Sequence, residues 1–70
     1  MSELIGTSGV VIVATRGQDG PGEVQLAFRG GTESYLAWSS APLAKGERIL
    51  VVDTRGARTV EVEAIADFTS

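Results

Sequence analysis

The chain has 70 residues, 43% of them apolar and 21% charged, with a net charge of −3 and neither Cys nor His. A chain of this size buries only about 60% of the surface its unfolded form exposes, and no disulfide supports so small a core. The composition is too apolar for a disordered tail, the missing thiols and imidazoles argue against zinc, haem and iron–sulfur chemistry, and the acidic balance argues against a general binder of polyanions.

Residues 1–6 read as a short lead-in without the basic start and apolar stretch of a signal peptide. No apolar run approaches the roughly 20 residues of a membrane helix, so the chain as it stands reads as soluble and cytosolic in character. Gly9 opens Val10-Val11-Ile12-Val13-Ala14-Thr15, a continuous apolar strand. A period of two puts Val10, Ile12 and Ala14 on one face, assigned here to the core, and Val11 and Val13 on the other. Arg16 to Gly22 is dense in turn formers. Glu23 to Arg29 then alternates, with Val24, Leu26 and Phe28 inward and Glu23, Gln25 and Arg29 outward.

Gly30-Gly31 suits a two-residue hairpin turn with positive φ at both positions, which pairs that strand antiparallel with Thr32 to Trp38. There Tyr35 and Ala37 point in, and Leu36 and Trp38 point out. Ser39 to Ala44 is too short for a helix and carries Leu43 into the core as a plug. Lys45-Gly46 turns the chain into Arg48 to Thr54, with Ile49 and Val51 inward and Leu50 outward. After Arg55-Gly56-Ala57, the stretch Arg58 to Ile65 sets Val60, Val62 and Ala64 against the core and Thr59, Glu61 and Glu63 toward water. Val-Ala-Thr-Arg-Gly at 13–17 matches Val-Asp-Thr-Arg-Gly at 52–56, which two similar strand exits explain without duplication.

Five short strands whose edges all need protection favour closure, and the expected fold is a five-stranded OB-type β-barrel. An SH3-like barrel is the alternative, because no helix separates the third and fourth strands. The expected core is Val10, Ile12, Val24, Leu26, Phe28, Tyr35, Ala37, Leu43, Ile49, Val51, Val60 and Val62. Residues 1–70 form one domain on this reading, with the barrel over 4–65 and a tail over 66–70.

Candidate chemistry is thin. A hydrolase needs an activated nucleophile, and Ser8, Ser39 and Ser40 have no His or Cys to serve them; Lys45 beside a turn glycine reads as a solvated loop rather than as a base. Gly6-Thr7-Ser8-Gly9 lacks the Gly-Lys-Ser/Thr ending of a phosphate loop. Arg16, Arg55 and Arg58 leave the two loops that flank the oligonucleotide face of OB barrels, which makes them the candidate residues for a nucleic-acid or oligosaccharide site. Against that stand the acidic total and only four aromatics, Phe28, Tyr35, Trp38 and Phe68. The three outward apolar residues Leu36, Trp38 and Leu50 are the candidate partner-binding surface, with Trp38 as its anchor, unless strand curvature folds Trp38 over the barrel end as a lid on the core. No catalytic, cofactor or metal residues are assigned.

Leu4-Ile5-Gly6 and Gly9-Val10, Gly22-Glu23-Val24 after a Gly/Pro-rich loop, Tyr35-Leu36-Ala37 followed by Ser39, Leu43 three residues before Gly46, Ile49 to Val52, Gly56, and Val60-Glu61-Val62 together resemble the C-terminal OB-like domain of NfeD-type membrane proteins. The resemblance covers about Leu4 to Ile65. It implies a non-enzymatic interaction module on the cytoplasmic side of the membrane, carried after transmembrane helices in a bacterial parent protein and working with stomatin- or flotillin-like scaffold proteins or with itself. The serine protease domain of longer relatives has no counterpart here. The chain departs from the family pattern in its longer loop at Gly17 to Gly22, in Gly30-Gly31, and in having apolar Leu36, Trp38 and Leu50 where relatives more often place polar side chains. With no span of its own, it resembles an excised domain or a soluble stand-alone version.

Overall fold

The computed structural model describes residues 4–28 and 30–65, without the side chain of Phe28. The expectations for Phe28 as a core residue, Arg29 as an outward one and 66–70 as a tail therefore lie outside the described residues. Five strands follow in order: β1 (Ser8–Val13), β2 (Gly22–Phe28), β3 (Gly31–Ser39), β4 (Arg48–Thr54) and β5 (Thr59–Ala64). They close into a barrel in the order β1-β2-β3-β5-β4, with β1 pairing both β2 and β4. β3 and β5 lie parallel, and every other neighbour is antiparallel. This is the OB arrangement, and it decides against the SH3-like alternative.

The alternating strands behave as their patterns require. Val24 and Leu26 from β2, Tyr35 and Ala37 from β3, Ile49 and Val51 from β4, and Val60, Val62 and Ala64 from β5 are buried in one cluster. Leu43 joins them, so the connection between β3 and β4 does supply the expected plug.

β1 departs from the expected phase at Val11, while Val13, beyond the register shift between the two, is exposed as expected. Val11 is buried in the core, whereas Val10 and Ile12 are only half-buried and Ala14 is exposed. An unbroken apolar run carries no phase of its own. The phase comes from the neighbour: Val11 lies opposite Val24, and directly opposed residues share a face. The β2–β3 turn also falls one residue early. Phe28 pairs with Gly31, which already belongs to β3, and only Gly30 of the two glycines has a positive φ, at 81°. The long first loop contains a single 3₁₀ turn at Gly17–Asp19.

Under the barrel's open end, a buried hydrogen-bond relay holds the plug. The Thr15 hydroxyl oxygen accepts the Leu43 amide at 2.8 Å, lies 2.6 Å from the Ser39 hydroxyl, and Ser39 donates onward to the Ala41 carbonyl at 2.7 Å. Since Ser39 spends its proton on Ala41, Thr15 is the donor to Ser39. Both side chains are buried and fully satisfied, as the cost of an unmade buried hydrogen bond demands.

Candidate interaction surface

The outer face of β3, β5 and β4 carries the candidate residues. Leu36 and Trp38 stand two apart on β3 and so project from the same side; Leu36 is 46% exposed and Trp38 half-buried outside the core cluster. In the parallel β3–β5 pair Trp38 lies beside Glu61. On the far side of β5, Glu63 lies beside Leu50, which is half-buried. The carboxylates of β5 thus run between Leu50 and the other two, and the three candidates do not form one continuous apolar patch.

A β-bulge changes who does meet Trp38. β4 pairs Val51 with Val62 and then Asp53 with Glu61, leaving Val52 as the extra residue. Bulged residues lose the strict alternation, so Val52 and Asp53 are both exposed and Thr54 regains the inner side opposite Val60. Trp38, Val52, Glu61 and Glu63 line a groove of about 320 Å³, bounded by Gln18 from the first loop and Arg55 from the β4–β5 turn. Sequence reasoning missed Val52 and Gln18, because Ile-Leu-Val-Val-Asp contains no sign of a bulge and the loop's path over β3 depends on the closed barrel.

Arg55 spans this groove. Its guanidinium carbon lies 4.9 Å from the centroid of the Trp38 ring while its Nε donates to Glu61 at 2.6 Å. The combination pairs a cation with the face of the best π-donor and with a carboxylate. Arg58 does the same on the other side of the turn: it lies 4.9 Å from the Tyr35 ring centroid, donates to Glu33 at 3.2 Å and caps the Ser34 carbonyl at 2.8 Å. Leu36 opens onto this second depression, between Glu23 and Arg58. Arg16 is exposed on the first loop, its guanidinium lying across Gly20. The three arginines are therefore not one basic patch. Two of them pack on Trp38 and Tyr35 and spend their charge on carboxylates of the same chain.

Among the described residues no group of three or more His, Cys, Asp or Glu could hold a metal ion, and no helix is long and apolar enough to cross a membrane.

The comparisons agree with this geometry. No curated protein matches the chain. The solution structure of the soluble domain of the NfeD protein YuaF from Bacillus subtilis superposes with a TM-score of 0.74 at 36% identity, over 89% of this chain and 74% of that one. The C-terminal domain of stomatin operon partner protein 1510-C from Pyrococcus horikoshii superposes with a TM-score of 0.69 at 31% identity, over 89% and 88% of the two chains. The family model of the NfeD C-terminal domain matches residues 8–63, from the first residue of β1 almost to the end of β5. The chain belongs to the NfeD C-terminal domain family.

Proposed function

We propose that this barrel is a non-enzymatic protein-interaction module of an NfeD-type membrane-associated protein, on the cytoplasmic side, and that it docks a stomatin- or flotillin-type scaffold through the surface around Trp38, with Leu36 beside it and Leu50 flanking across β5. The observation that carries the reading is the outward, half-buried Trp38 set in a groove with Val52, Glu61 and Glu63. Half-exposed Trp with a polar surround is the usual anchor of a protein interface. Similarity to a domain from a stomatin operon partner protein favours a stomatin-class scaffold as the occupant. Self-association through the same surface is the other outcome the test must register.

The test is a calorimetric titration of the domain with the soluble domain of a stomatin-class scaffold, alongside sedimentation of the domain alone. Trp38→Ser is expected to weaken scaffold binding by roughly tenfold or more, with Leu36→Ser and Leu50→Ser acting in the same direction. The far-UV spectrum should remain that of the wild type. Unchanged scaffold affinity in Trp38→Ser overturns the reading, as does loss of the fold. Micromolar binding of a labelled single-stranded oligonucleotide, falling steeply with salt, would instead favour the nucleic-acid alternative built on Arg16, Arg55 and Arg58.

A further inference from the structure

The groove at Trp38 lies on the outer side of β3, β5 and β4, between the first loop and the β4–β5 turn, represented here by Gln18 and Arg55. Its charge is of the opposite sign to a polyanion site. Glu61 and Glu63 both project into it from β5, and Asp53 stands exposed beside Glu61 across the β4 bulge. Among the described residues Arg55 is the one cation lining the groove, and its Nε is already committed to Glu61 at 2.6 Å. The side-chain carboxylate of Glu63, a half-buried residue, makes no hydrogen bond or ion pair with any described residue. A carboxylate partly withdrawn from water, without a partner, favours the arrival of a cation that can hydrogen-bond to it.

The apolar lining restricts that cation further. Trp38 and Val52 face the same space as Glu63, so an occupant with an alkyl stem and a charged tip matches both surfaces. Arg55 already shows the mode within the molecule, its guanidinium on the Trp38 ring and its charge on Glu61.

We infer that the groove receives a lysine or arginine side chain from the protein partner, its stem against Trp38 and Val52 and its charge on Glu63. This rests on the proposed docking function and specifies the partner's contact segment as basic. A blocked Gly-Arg-Gly-Lys-Gly peptide, which lacks Trp, can be titrated while the indole resonance of Trp38 is followed by NMR, with Gly-Glu-Gly-Glu-Gly as control. The basic peptide should shift the Trp38 signal saturably and the acidic one should not, and Glu63→Gln should weaken the basic peptide about three- to tenfold. Equal shifts by both peptides, or an unchanged affinity in Glu63→Gln, overturn the inference. The scaffold titration separates the two readings. Scaffold binding that falls in Trp38→Ser but is indifferent to Glu63→Gln leaves the docking surface standing and overturns the basic contact. Peptide binding that depends on Glu63, with a scaffold indifferent to Trp38→Ser, supports the cation groove and removes the docking reading.

Discussion

At the scale of single residues, the difference between full burial and a shared surface decides what each side chain contributes. Leu26 is wholly buried between β1 and β3, so Leu26→Ala removes its transfer energy and leaves a cavity, at a cost of about 2–5 kcal/mol. A domain of this length holds roughly 4–10 kcal/mol in total, and urea titration should find the variant near or past the edge of folding. Thr15 and Ser39 are the polar counterpart. Thr15→Val keeps the shape but strips the Leu43 amide of its acceptor and Ser39 of its donor, which should cost about 1–3 kcal/mol. Because the damage is confined to the plug, amide exchange at Leu43 and Ala44 should accelerate more than exchange in β2, and uniform acceleration would show that the relay is not local. Glu33→Gln tests the other extreme. The Arg58–Glu33 pair is 3.2 Å long, with both side chains about half exposed, and its loss should lower stability by less than about 1 kcal/mol.

At the scale of elements, the strand exits explain both the matched pentapeptides and the places where backbones crowd. In each, the arginine amide donates to the carbonyl four residues on, Arg16 to Gly20 at 3.1 Å and Arg55 to Thr59 at 2.9 Å, and the glycine after it takes a positive φ, 66° at Gly17 and 110° at Gly56. Two similar turns therefore follow two bulged strands, β1 between Val11 and Val13 and β4 between Val51 and Asp53. Where β2 starts against the first of these exits there is no room for a side chain: a Cβ on Gly22 would collide with the Val13 carbonyl and lie 2.6 Å from the Ala14 carbonyl oxygen. Both are backbone atoms that cannot swing aside. Gly22→Ala should therefore cost at least about 2–3 kcal/mol, measured as a fall in melting temperature, and a variant as stable as wild type would mean that the first loop repacks freely.

At the scale of the molecule, one cluster is shared by all five strands and by the plug. Because β1 pairs both β2 and β4, and β5 bridges β3 and β4, no strand can leave without opening the barrel. Trp38 fluorescence and the far-UV spectrum should then report the same urea midpoint, with a slope near 1 kcal/mol per molar as suits a chain this short. Separated midpoints would show that the Trp38 face unfolds on its own.

The sequence by itself determined the inner faces of β2 to β5, since period-two alternation is a local property: Val24 and Leu26, Tyr35 and Ala37, Ile49 and Val51, Val60 and Val62 each follow from their neighbours. It also determined the closed five-stranded barrel, because five short strands in so small a chain leave edges only closure can satisfy. The tertiary structure alone decided the phase of β1, which the pairing of Val11 with Val24 imposes on a run of apolar residues with no alternation. It decided equally that a bulge turns Val52 outward, that Gln18 reaches the groove, and that Arg55 and Arg58 are spent on Trp38 and Tyr35. Each of these depends on which strands become neighbours, and that is a property of the closed barrel rather than of any stretch within it.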